Sequence, residues 1–216
     1  MKKISVILLG IALCMSACSK KNNIDPNSVV INGTAYPTVT INGQTWTTQN
    51  YRGPGGGEIV ATGSDAEING NYYNAFNITL PKGWRIPTAA DCNNLISNYS
   101  EAKDEYGNDE VNMVYSETLR SVNGWTISSG NNGTGFNAYP AGDISNNHKV
   151  EEKGNQAEYL TTTYQGSYIS TLNISCYDQE NNEGDVFYSG FDYFNYGGSN
   201  TAAHDIYFSV RFVKDN

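Results

Sequence analysis

Val29-Val30-Ile31-Asn32-Gly33-Thr34-Ala35-Tyr36-Pro37-Thr38-Val39-Thr40-Ile41-Asn42-Gly43-Gln44-Thr45-Trp46 carries one signal twice, a β-branched run closed by Asn-Gly. Asn-Gly supplies the two consecutive positive φ values that a type I′ turn needs, so each pair joins antiparallel strands. The flanking Thr34, Tyr36, Thr45 and Trp46 suit a pleated, half-buried surface. The stretch therefore predicts a three-stranded meander over 29–50. Ile68-Asn69-Gly70 ahead of Tyr72-Tyr73 reads as a third use of the signal. These are hairpin echoes, not the fixed period of a solenoid.

Away from the meander, the clearest strand is Ile206 to Val213, where Phe208, Val210 and Phe212 alternate with Ser209 and Arg211. That alternation predicts one buried and one polar face. A helix is expected over Thr88 to Tyr99. Pro87 precedes the cap, Thr88 caps, and Asp91 is a short version of the capping-box acid. Cys92, Leu95, Ile96 and Tyr99 then share one face. A weaker helix is expected over Asn108 to Val122, with Val111, Val114, Tyr115 and Leu119 inward and Asn123-Gly124 closing it. Short strand-like runs follow at Tyr159 to Thr163 and Tyr168 to Ser170. Arg52 to Gly57 is a glycine-rich loop, and the Glu58 after it excludes a phosphate cradle, which needs Gly-Lys-Ser/Thr there. The sum is a single α+β domain, strand-rich, with one or two helices and long loops.

The beginning of the chain has its own logic. Lys2 and Lys3 precede an apolar stretch over 4–15, the length of a signal h-region and too short to span a bilayer. Met15-Ser16-Ala17-Cys18 resembles the lipobox of bacterial lipoproteins, with Met15 where Leu is usual. That resemblance implies cleavage before Cys18 and a diacylglycerol on its thiol. The expected organisation is a signal peptide over 1–17, a polar tether over 18–28 and a folded domain over 29–216. The expected location is the cell envelope, lipid-anchored, on the outer membrane. The formal charge of −9 becomes −11 once Lys2 and Lys3 leave with the leader. So acidic a surface argues against nucleic acid. Besides Cys18, cleavage leaves Cys92 and Cys176. A bridge between them would close a loop of roughly eighty residues, worth about 4 kcal/mol in the chain-entropy model. Two separate buried thiols are the alternative.

Six segments in order resemble the Fibrobacter succinogenes major paralogous domain, a family of exported proteins common in Bacteroidetes and Fibrobacteres. They begin with Thr40 to Asn50, Tyr72-Tyr73-Asn74 and Leu80-Pro81-Lys82-Gly83-Trp84-Arg85-Ile86-Pro87-Thr88. Leu119-Arg120-Ser121 leading to Gly124-Trp125 comes next. Asn132 to Gly142 and Ser209 to Asp215 complete the series. The chain departs from the family at Leu160 and Cys92, where Trp is frequent, and at Phe212, where Cys is common. Trp84 to Thr88 before a helix, with a late Val-Arg strand, also resembles formylglycine-generating-enzyme-like and C-type-lectin-like domains. That similarity implies a C-type-lectin-like α+β fold with paired termini and a ligand site on long loops; alone it licenses no function.

No catalytic set stands out. The two histidines, His148 and His204, accompany no nucleophile elbow, and His204 and Asp205 would point to opposite strand faces. Asp178, Glu180, Glu183 and Asp185 concentrate hard oxygen ligands in one short stretch, with calcium the ion they favour at Asp178, Glu180 and Asp185, although the spacing is not that of an EF-hand. The run 187–196 is dense in aromatics, and Tyr188, Asp192 and Tyr193 join the acidic stretch as candidate ligand contacts, since tyrosine rings stack on sugars and anchor protein contacts. The expectation is a non-enzymatic binding or adhesion module for a glycan or an envelope protein, with no cofactor beyond that calcium. Two alternatives stay open: a polysaccharide-acting enzyme using Asp178 and Glu183 as paired carboxylates, or a structural envelope or pilus-associated module.

Overall fold

The computed structural model describes residues 25–55, 58–63, 66–74, 77–96, 100–103, 109–111, 117–144, 148–165, 168–178, 185–195 and 206–216. The leader, Cys18 and most of the tether lie outside the described residues, as do Tyr99, Glu180, Glu183 and His204.

Both Asn-Gly pairs form the expected turns. β1 (Ser28–Ile31) pairs antiparallel with β2 (Thr34–Ile41), which pairs with β3 (Gln44–Thr47). Ile31 faces Thr34 and Ile41 faces Gln44, so each loop is two residues long. Asn32 and Asn42 sit at φ 48°, Gly33 at 81° and Gly43 at 77°, the backbone of a type I′ turn. The third Asn-Gly does otherwise. Ala66–Asn69 forms a single turn of helix, α1, and Gly70 at φ 71° ends it, its N–H donating to the Ala66 carbonyl. A glycine in the left-handed region closes helices as readily as hairpins. Short β4 (Glu58–Ile59) and β5 (Tyr72–Tyr73) flank it and pair with each other.

The main helix, α2 (Ala89–Ile96), starts where expected. Thr88 Oγ1 accepts from the Asp91 N–H at 3.2 Å, and Asp91 Oδ2 accepts from the Thr88 N–H at 2.7 Å, a reciprocal capping box. Burial pushes the Asp91 carboxyl up, but its bonds from Arg85, Thr88 and Gln44 outweigh that and hold it below the usual carboxylate value. Cys92, Leu95 and Ile96 are buried on the core side. The second helix is mostly not a helix. β6 (Ser100–Lys103) pairs with β7 (Asp109–Val111), and among the described residues of 108–122 only 117–119 are helical. The intervening Asp104-Glu105-Tyr106-Gly107-Asn108 is turn-forming in composition, a signal the helical spacing of Val111, Val114 and Leu119 obscured. Leu119 is nevertheless fully buried, as expected.

β8 (Asp143–Ile144) pairs with β9 (Val150–Glu151). The short runs expected after residue 157 are parts of long strands. β10 (Gln156–Gln165), β11 (Tyr168–Asp178) and β12 (Asp185–Asn195) make a three-stranded antiparallel sheet. β13 (Val213–Asp215) returns to β3, so strands from both ends of the domain share one sheet in the order β1-β2-β3-β13.

The largest correction concerns 206–213. Phe208, Val210 and Phe212 are buried, but so are Ser209 and Arg211, each at 1 % exposure. The alternation is right and the polar face is interior. Backbone bonds run from this segment to Tyr73, Tyr51 and Thr47 on one side, and to Ile144, Glu158 and Leu160 on the other. It is a central segment bridged on both sides that runs into β13, and both of its faces meet a core. Phe208, Val210 and Phe212 pack with Tyr36, Tyr51, Tyr73, Leu160 and Ile169. The opposite face joins Trp46, Cys92, Leu95, Phe136, Tyr159, Leu172 and Cys176 through Val213. The three positions that depart from the family, Cys92, Leu160 and Phe212, are all fully buried and change core packing. Cys92 and Cys176 are free thiols in the same apolar cluster. Burial pushes the Cys92 thiol far up, so it is unreactive in the native fold. Among the described residues no helix is long and apolar enough to cross a membrane.

Candidate ligand-binding cleft

Arg211 organises the most distinctive site in the domain. Its guanidinium is clamped between the rings of Phe136 and Tyr159, 5.2 Å from each centroid. Nε donates to Asn50 Oδ1 at 2.7 Å. Nη1 donates to the carbonyls of Thr47 at 2.9 Å and Phe136 at 3.1 Å, and Nη2 to the Asn137 carbonyl at 2.9 Å. One side chain thus ties the end of β3 to the 136–137 loop. Its donors are satisfied by neutral oxygens, and among the described residues no carboxylate bonds it. Burial accordingly pulls its pKa down, with the Tyr159 hydroxyl opposing that.

Above this clamp opens a cleft of about 370 Å³. Thr48 and Gln49, just after β3, form one wall. Arg52 and the Glu67-Ile68 pair of α1 form the second, and Ser121, Val122 and Asn123 the third. Asn137, Tyr139 and Arg211 make the floor side. Each wall is fixed by hydrogen bonds to its backbone groups. The Arg52 N–H donates to Tyr36 Oη at 3.2 Å, and the Arg52 carbonyl accepts from Asn71 Nδ2 at 3.1 Å. Asn50 Nδ2 donates to the Asn69 carbonyl at 2.8 Å and holds α1 beside β3. The Ser121 N–H donates to the Ala138 carbonyl at 2.8 Å, and Asn137 Nδ2 reaches the Thr48 carbonyl at 3.4 Å.

The lining is rich in amides, hydroxyls and guanidinium, with Ile68 and Val122 giving apolar exposure at the rim. The Arg52 side chain is 35 % exposed; its ion pair with Glu67 spans 3.9 Å, and the Glu67 side chain is 88 % exposed. A pair that wet contributes little stability.

The family model of the Fibrobacter succinogenes major domain matches residues 39–214. The chain belongs to this family. The matched span contains every residue named in the cleft. No curated protein and no solved structure matches the chain.

The residues singled out from the sequence occupy a different part of this Fibrobacter succinogenes major domain. Asp178 and Asp185 stand directly opposite each other at the ends of β11 and β12, flanking the stretch that holds Glu180 and Glu183. Tyr188, Asp192 and Tyr193 pair in register with Ser175, Thr171 and Ser170 along β12. The aromatic run is therefore a strand of the long sheet, not a loop. His148 is exposed at φ 56°, its ring 6.2 Å from that of Tyr207. No group of three or more His, Cys, Asp or Glu side chains is placed to hold a metal ion among the described residues. Sequence reasoning missed the cleft itself. Thr48, Gln49, Asn137, Tyr139 and Arg211 all lie inside segments that carry the family resemblance, and their polar character within otherwise apolar strands and turns was the available signal.

One further electrostatic outlier lies away from the cleft. Asp143, buried on β8, has its carboxyl pushed up to about 6 by burial and by Glu151 and Glu152. Glu151 faces it directly across the β8–β9 pair.

Proposed function

We propose that the chain is a membrane-tethered envelope lipoprotein whose family domain is a non-enzymatic binding module for a glycan or a partner protein, seated in the cleft over Arg211. The observation that carries this reading is the chemistry of the lining. Amide, hydroxyl and guanidinium groups line a cleft in which Glu67 is the one carboxylate among the described residues. Glycoside hydrolysis ordinarily needs two carboxyl groups across the scissile bond. Nucleophilic catalysis needs a nucleophile beside a base. Fixed walls and a polar lining suit recognition of a hydroxyl-rich ligand.

The tether reading is supported by Lys2, Lys3, the apolar run and Cys18, and the location proposed with it is the outer membrane. The C-type-lectin-like architecture is supported by the shared sheet of β1, β2, β3 and β13. The opposed positions of Asp178 and Asp185 support a calcium ion held with Glu180.

The test is a glycan array and an envelope-protein capture with the full chain, with and without calcium. Gln49→Ala and Asn123→Ala, both on the cleft wall, are expected to weaken retention about tenfold, the loss of one or two hydrogen bonds. Retention that survives both changes but falls with Asp178→Asn or Tyr193→Ala would move the site to the β11–β12 hairpin. Incorporation of labelled palmitate, abolished by Cys18→Ser, tests the anchor.

A further inference from the structure

Two guanidinium groups, Arg52 and Arg211, and one carboxylate, Glu67, line the cleft. The chain has a net charge of −9, yet this recess is built over a buried guanidinium that bonds no carboxylate among the described residues. Arg211 satisfies its donors with carbonyls, an amide oxygen and a phenol, none of which cancels its charge. Arg52 adds a second cation on the wall. Its one ion-pair partner among the described residues, Glu67, lies 3.9 Å away and is almost wholly in water, where its field is weak. A recess walled by protein focuses the field of such charges on whatever enters it.

We propose, resting on the reading of the cleft as a ligand site, that its ligand is an acidic saccharide: a sugar bearing a carboxylate that lies against Arg52 in the field of Arg211. Arg52 is the contact residue. Its backbone is pinned by Tyr36 and Asn71, and its side chain, which also bonds the Tyr36 hydroxyl, makes a loose pair with Glu67, so the guanidinium is held on the cleft wall with donors to spare for a ligand. Arg211 acts through charge alone, because its N–H groups are engaged. Gln49, Asn123 and Asn137 present amide groups suited to ring hydroxyls, which favours a saccharide over an acidic peptide. Glu67 competes with the ligand carboxylate for Arg52.

The test uses isothermal titration of the full-length chain in detergent with glucuronate and galacturonate oligomers, the matching neutral glucose and galactose oligomers, and an acidic hexapeptide. At least one acidic oligomer is expected to bind at least about tenfold tighter than its neutral counterpart, the range of one charge-assisted hydrogen bond. Raising salt is expected to erode that preference. Arg52→Gln is expected to remove it while leaving weak neutral binding, and Glu67→Gln to enlarge it several-fold. A gain of affinity cannot come from misfolding, which keeps the test informative if Arg52→Gln folds poorly. Neutral oligomers bound as tightly as acidic ones would overturn the proposal and leave the binding-module reading intact. Binding of the hexapeptide alone would overturn it in favour of a protein partner. No binding by any probe would overturn it, while retention of some other ligand on the array would show the general reading still standing.

Discussion

Asp143→Asn is expected to stabilise the domain, and by an amount that depends on pH. In the folded chain the Asp143 carboxyl is held at about 6, against 3.8 for an ordinary aspartate, because it is buried and faces Glu151 and Glu152. The folded state therefore binds this proton more tightly than the unfolded state does. Below pH 3.8 the group is protonated in both states and nothing is lost. As pH rises through about 6 the native chain must ionise a buried carboxyl beside two others, and stability falls. At about 1.4 kcal/mol per tenfold difference in proton affinity, the full loss is about 3 kcal/mol. Asparagine keeps the shape and removes the charge, but its amide still needs partners, so about 2 kcal/mol should be recovered above pH 7. For a chain of this size that is a rise of about 4–8 °C in Tm. Urea and thermal unfolding of both chains from pH 4 to pH 8 would show the two curves converging at the acid end and separating to a plateau above pH 7. A difference that stays constant across the range, or a variant less stable at pH 8, would refute the reasoning.

Gly142→Ala should be among the most damaging single changes, losing about 3 kcal/mol or more in urea unfolding, because a Cβ there would lie 1.9 Å from the Glu151 carbonyl oxygen at φ +70°. Arg211→Met should cost more than about 3 kcal/mol by the same measurement, since it strips three carbonyls and Asn50 of their donor in a dry interior. Asp91→Ala should lower stability by about 2 kcal/mol near neutral pH through loss of the cap and the Arg85 pair. Its share in the parent chain is present above pH 3.8 and lost as pH falls through its lowered value, so the two chains should converge in strong acid. Iodoacetamide followed by peptide mapping should leave Cys92 and Cys176 unmodified in the native chain and label both after unfolding without reductant; failure to label the unfolded chain would show that they are bonded.

The meander and the α2 cap were legible because their signals are local. Asn-Gly needs only its own backbone preference, and Thr88 with Asp91 needs only three residues of spacing. The family resemblance was legible for the same reason, through short ordered segments. What could not be read was anything that depends on which surface meets another. Ile206 to Val213 has the pattern of a half-exposed strand, and pattern alone cannot show that Arg211 lies between Phe136 and Tyr159. The cleft gathers Gln49, Arg52, Glu67, Asn123 and Tyr139 from four separated segments, each unremarkable where it stands in the chain. The acidic stretch and the aromatic run drew notice because their residues are neighbours in sequence, whereas this site is assembled by tertiary contact.

The central segment has a consequence for the order in which this molecule can be made. The Phe212 N–H donates to the Thr47 hydroxyl oxygen across 165 residues of sequence, and Arg85 exchanges two backbone bonds with Val213. A chain emerging from the ribosome with its beginning first holds the meander, α2 and the long sheet as pieces with no common middle until residue 213 is out. Contacts that remote are slow to form. Until then Tyr51, Tyr73 and Leu160 have no Phe208 or Phe212 to cover them, so the growing chain stays open and sticky. Such a polypeptide needs a holding chaperone until its last segment is made. A nonsense codon a few positions before Arg211 should therefore yield material that is degraded, not a trimmed domain.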